Sequence, residues 1–180
     1  MGMRTVMPTI ERYGVAQRLL HWGVVLLVVV VFPLGAVIKF VKDDVKLSFY
    51  MLHESFGFIV LWIMLARLAV RLSNPPPPHP STMSPFLEKV AGSVHVLLYV
   101  ALIAQPILGF LMTNAYGFPL RLFDLVPIWS PIGKDEVLAG YLKLGHVALG
   151  WAILALIAGH IGGALYHHVI RRDETLYRII

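Results

Sequence analysis

The sequence predicts an all-α membrane four-helix bundle with both termini cytoplasmic. Three observations carry this. The chain has 180 residues, of which 58% are hydrophobic, and its mean hydropathy is +0.75. Four apolar stretches are long enough to span a bilayer, which needs roughly 20 residues at about 1.5 Å each. Histidines sit in or beside all four stretches, at depths that match in pairs. Ionisable side chains are rare inside a bilayer and mark functional sites there. We read residues 1–180 as one transmembrane domain, with helices at about 10–40, 47–73, 86–113 and 137–171.

Residues 19–38 hold no formal charge, and they are too long and too poor in small residues to read as a cleaved signal segment. Residues 56–72 are interrupted by Arg67 and Arg71, whereas 90–120 and 144–170 are free of Asp, Glu, Lys and Arg. The first loop is expected at 39–47. The second, 73–89, holds four consecutive prolines at 75–78 and reads as a stiff polyproline connector. His79 beside them reads as a solvated loop residue. The third loop, 114–141, is rich in glycine, proline and aromatics, and is expected to fold over one membrane face.

Basic residues set the orientation. The tails and second loop, from Arg4 to Arg178, hold nine of the 15 Lys and Arg residues against four acids, net +5; the opposite side has six of each. An excess of Lys and Arg marks the cytoplasmic side. The sequence pI near 9.6 therefore points to a membrane rather than to nucleic acid, because the basic residues cluster at segment ends. There are no cysteines, which excludes disulfides, thiolate metal sites and covalent c-type haem attachment.

Alternating helix directions place His21 and His160 near the cytoplasmic side, and His53 and His146 near the far side. His146 and His160 are 14 residues apart, which is about 21 Å of rise and within about 40° of four full turns, so both face the same way. His146 should meet His53, and His160 should meet His21. Two facing imidazole pairs, one per membrane face, suit two bis-histidine haems better than one tetrahedral metal site. A metal pathway would also draw on intramembrane carboxylates, and only Glu54 comes close. Gly57 and Gly150 each follow a histidine by four residues, on the same helix face, and would leave room for a flat macrocycle. Single small residues in such helices more often serve packing; the matched pair favours haem.

His95 lies at the depth of His21 and competes with it for the same cofactor. We assign His21 as the ligand, and His95 to a haem propionate or a quinone. His167, seven residues after His160, is a candidate quinone or proton-handling group; His168 points elsewhere and reads as interfacial. Arg67 sits deeper than an anchor needs; it either snorkels to the boundary or partners a haem propionate. Lys42, Lys46, Arg121, Lys134 and Lys143 are placed to attract an anionic donor, although each is more simply a charged loop residue at the water boundary.

Several segments carry a resemblance. Arg18-Leu-Leu-His21-Trp22, Leu52-His53-Glu-Ser-Phe-Gly57, Arg71-Leu-Ser-Asn-Pro75, His95-Val-Leu-Leu-Tyr99, Leu144-Gly-His146 and the run from Tyr166 to Leu176 resemble the bacterial cytochrome b-561 family over nearly the whole chain. The resemblance implies a four-helix inner-membrane cytochrome with two b haems, ligated by His21, His53, His146 and His160. It further implies electron transfer to or from ubiquinone, with superoxide or another small donor at the periplasmic face, as in superoxide oxidases. The alternative is a cytochrome b subunit that receives electrons from a dehydrogenase or hydrogenase partner. A non-haem metal carrier or a purely structural bundle is the third reading. One departure stands out: Glu54 occupies the position after the helix-two histidine where the family carries a basic residue. An acid there weakens the attraction of an anion to that face.

Overall fold

The computed structural model describes residues 11–78 and 83–180; His79 and Arg4 lie outside the described residues. Four helices dominate: α1 (Val15–Val37), α2 (Asp43–Ser73), α3 (Pro85–Ala115) and α4 (Glu136–Leu165). All four are long and apolar enough to cross a membrane. A stretch such as Val28–Phe32 is rich in β-branched residues and would be a poor helix former in water. In lipid an unsatisfied backbone group costs several kcal/mol, so the helix, which satisfies its own backbone, prevails. The same environment tolerates Pro33 inside α1 and Pro106 inside α3.

Local signals set the ends. α1 begins at Val15, behind a Gly14 cap, rather than near residue 10. A 3₁₀ turn, Ile38–Phe40, extends it. α2 begins at Asp43, four residues before the expected start, so the first loop shrinks to a short hinge. Asp43 and Asp44 occupy its first turn, where carboxylates complement the helix dipole. The Oγ of Ser84 caps α3 by accepting from the Leu87 amide at 3.4 Å, with Pro85 in the favoured first position. Asp135 caps α4, accepting from the Val137 and Leu138 amides at 3.0 Å each. α4 runs on into a wide π-helical turn, Tyr166–Arg171, which Arg172 ends in a left-handed conformation.

α1 packs along α2, and α3 along α4, with α2 joining the two pairs; among the described residues α4 makes no comparably close backbone approach to α1 or α2. The core lies at mid-height. Val24, Val60, Met64, Ala101, Leu102 and Ile153 form one buried cluster drawn from all four helices. Large apolar side chains cover the outside instead: Leu19, Leu26, Trp62, Leu144 and Trp151 are each more than 60% exposed. That inversion suits a surface bathed in lipid.

The third loop does fold back on the bundle. It forms a small antiparallel hairpin of β1 (Arg121–Leu122) and β2 (Val126–Pro127). The turn residues Phe123 and Asp124 both have positive φ, 50° and 60°, a conformation that Asn-Gly adopts cheaply and Phe does not. The Phe123 amide donates to the Oγ of the fully buried Ser55 at 2.7 Å, and the Phe123 and Phe56 rings meet edge to face at 5.3 Å. These contacts with α2 hold the strained turn.

Candidate haem sites

At the end of the bundle opposite the termini, His53 of α2 and His146 of α4 face one another with ring centres 6.1 Å apart. Each is held from behind by a backbone carbonyl of the helix it packs on. His53 Nδ1 lies 2.9 Å from the Val31 carbonyl of α1, and His146 Nδ1 lies 3.0 Å from the Gln105 carbonyl of α3. A carbonyl only accepts, so both Nδ1 atoms carry the proton and both Nε2 atoms keep a free lone pair. Orienting contacts of this type fix the tautomer of metal-ligating histidines. Gln105 adds a second tie, donating from Nε2 to the His146 carbonyl at 3.0 Å. Glu54, beside His53, accepts from Thr113 Oγ1 at 3.0 Å.

At the end that holds the termini, His160 of α4 lies 6.2 Å from His21 of α1 and 5.1 Å from His95 of α3, ring centre to ring centre. Arg67 Nη2 donates to His21 Nδ1 at 2.9 Å, and the guanidinium lies over the Tyr99 ring at 5.1 Å, a favourable cation–π distance. Arg67 therefore reaches the site from α2 rather than snorkelling to the boundary. His21 also packs edge to face on Trp22. The mid-height apolar cluster separates the two ends: Ile153 lies seven residues from both His146 and His160.

The remaining histidines fall outside these pairs. His167 is buried in the π-helical turn, and its Nδ1 pairs with Asp173 Oδ2 at 2.6 Å. Burial alone would raise the Asp173 carboxyl, but hydrogen bonds from His167 and Thr175 outweigh it and hold the group below its ordinary range. His168 packs edge to face on Tyr177 and, with Val169, Arg172, Asp173 and Tyr177, lines a cleft of about 430 Å³. The cleft is thus bordered by the residue read as interfacial, while His167 is engaged behind it.

The model for prokaryotic cytochrome b561 matches residues 12–180. The chain belongs to that family. Cytochrome b561 homolog 2 of Escherichia coli strain K12 is 31% identical, with 96% of this chain and 93% of that protein covered. A protein of Yersinia pestis named probable superoxide oxidase CybB is 29% identical, covering 94% and 96%. Cytochrome b561 homolog 1 of Escherichia coli strain K12 is 29% identical, covering 94% and 97%. The protein is accordingly a multi-pass membrane haem b protein of electron transfer.

By ring separation both couples fit that cofactor, and His53 and His146 also present free Nε2 lone pairs. At His21 the Arg67 donor leaves the proton on Nε2, so Arg67 must move off Nδ1 for Nε2 to bind iron. Imidazole nitrogens bind metals at about 2.0 Å and lie roughly 1 Å from their ring centre, so two imidazoles on opposite sides of one ion have centres about 6 Å apart. His53–His146 and His21–His160 meet this separation at 6.1 and 6.2 Å. His95–His160, at 5.1 Å, is too close. Beside His53, a Cβ added to Gly57 would meet nothing within 4 Å, so that position is open as expected. At Gly150 it would lie 3.3 Å from Gln105 Nε2. Two glycines that sequence reading does not single out, Gly35 and Gly109, face His53 and His146 from neighbouring helices.

Proposed function

We propose that the protein transfers electrons across the bacterial inner membrane from superoxide at the periplasmic face to ubiquinone at the cytoplasmic face. His53 and His146 would ligate one b haem and His21 and His160 a second, with both termini cytoplasmic. The observation that carries the reading is the pair of imidazole couples, each at ligating separation, at opposite ends of one bundle with an apolar plug between them. Bound there, haem iron supplies one-electron redox chemistry. Two superoxide ions leave as dioxygen, and one quinone takes up two electrons and two protons.

The chain's own groups hold and tune the sites. The Val31 and Gln105 carbonyls orient His53 and His146. Arg67 supplies a positive charge to a propionate on the cytoplasmic side, and His95 a hydrogen-bonding group there. Met64, fully buried between the pairs, helps exclude water from the middle of the path. The cleft beside His167 and His168 supports a quinone site at that end. On the periplasmic side, Glu54 and the balance of six bases and six acids make electrostatic steering of an anion modest. The similarity to the protein named probable superoxide oxidase supports the choice of donor.

The test is enzymatic. Purified protein supplied with a superoxide generator and ubiquinone should form quinol with no other protein present. Quinone reduction only when a dehydrogenase or hydrogenase partner is added would replace this reading with that of a cytochrome subunit.

A further inference from the structure

The two histidines at the periplasmic end rest in matching sockets on different helices. Val31 and Gly35 of α1 receive His53; Gln105 and Gly109 of α3 receive His146. In both, the accepting carbonyl lies four residues before the glycine, one helical turn away on the same face. Both segments also contain a proline, Pro33 or Pro106. A Cβ on Gly35 would lie 2.4 Å from His53 Cε1 and 2.8 Å from Nδ1; on Gly109, 2.9 Å from His146 Cε1 and 3.2 Å from Nδ1. At no other described helical glycine would an added Cβ meet the ring of a histidine beyond its own chain neighbours within 4 Å. The cytoplasmic couple lacks such a socket, since His21 Nδ1 meets a donor, Arg67.

We propose that Gly35 and Gly109 are positioning residues for the periplasmic haem. By giving each imidazole access to a carbonyl one turn back, they fix the proton on Nδ1 and aim Nε2 at the partner ring. The inference rests on the two-haem reading above. A methyl group at either position must push the ring by several tenths of an ångström to about 1 Å. That stretches a 2.9–3.0 Å contact toward the limit at which a hydrogen bond fails, about 3.5 Å. The push acts on one ligand of one site, and His21 and His160 are untouched.

The experiment compares Gly35→Ala, Gly109→Ala and Gly140→Ala in the full-length protein by haem-to-protein ratio and low-temperature electron paramagnetic resonance. Low-spin signals of bis-histidine haems respond to the orientation of the imidazole planes, which a general packing defect would not alter at one site alone. Gly140, whose added Cβ would meet nothing within 4 Å, serves as control. Gly35→Ala should lose one of two haems, halving the haem content. Gly109→Ala should lose or shift the same signal, with the second signal preserved in both. The preserved signal reports that the bundle has folded, and Gly109→Ala, the milder change, decides if Gly35→Ala yields no protein. Unchanged signals in Gly109→Ala, or joint loss of both haems in it while Gly140→Ala keeps both, would overturn the proposal. Fewer than two haems in the unsubstituted protein would instead overturn the two-haem reading.

Discussion

Replacing Ser55 by alanine should loosen the third-loop hairpin without unfolding the bundle. The Ser55 hydroxyl is fully buried and accepts from the Phe123 amide at 2.7 Å. Phe123 and Asp124 hold positive φ values of 50° and 60°, so their turn stores strain that the rest of the hairpin must offset. The sheet beyond it has only two residues per strand. Loss of one such hydrogen bond costs about 0.5–1.5 kcal/mol. At 1.4 kcal/mol per tenfold, 1 kcal/mol corresponds to an opening constant raised about five-fold. The Phe56–Phe123 ring contact at 5.3 Å survives the substitution, so the hairpin stays docked but opens more often. Amide hydrogen exchange in detergent or nanodiscs reads this directly. Residues 121–126 should exchange roughly five-fold faster in Ser55→Ala, with α2 and α4 unchanged. Identical protection in both proteins would refute the assignment of Ser55 as the tether.

Further outcomes follow from the same geometry. His146→Ala should lower the haem-to-protein ratio from two to one while the other haem keeps its optical spectrum; full retention of both would remove His146 from the ligand set. Met64→Ala should keep both haems but lower thermal stability by about 2 kcal/mol. In lipid the loss comes mainly from packing contacts around the new void, so the low end of the usual 2–5 kcal/mol applies; an unchanged melting profile would count against a tightly packed centre. Asp173→Asn should free the C-terminal segment at neutral pH. The carboxyl is lowered in the folded state, so its contribution is complete above the ordinary carboxylate pKa of about 3.9 and fades as pH falls through the lowered value. Limited proteolysis should therefore separate variant from parent at pH 7 and show the difference shrinking below about pH 4. A difference that grows on acidification would contradict the pairing with His167.

Much of the fold was legible because bilayer thickness dictates the length of an apolar run, and because the 14-residue interval from His146 to His160 fixes both depth and direction. Depth pairing likewise brought His53 to His146 and His21 to His160. The helix ends were less legible. Asp43 and Asp44 looked like loop charges, yet they favour the first turn of α2. The π-helical turn from Tyr166 is closed by the residues that follow it, as His167 with Asp173, a pairing that no helical period encodes. The sockets were missed for a physical reason. An interval of four residues finds glycines on the histidine's own helix, Gly57 and Gly150, whereas Gly35 and Gly109 act across a helix interface whose register no spacing encodes. A clue was present, since Pro33 and Pro106 each lie just before a glycine, at the depth of a histidine on the next helix.

The most direct test is the haem content of the purified protein, measured together with its reduced-minus-oxidised spectrum. Two b haems per chain, both low-spin with bis-histidine signatures, are the predicted result. One haem per chain, or a preparation with no Soret band, would contradict the account.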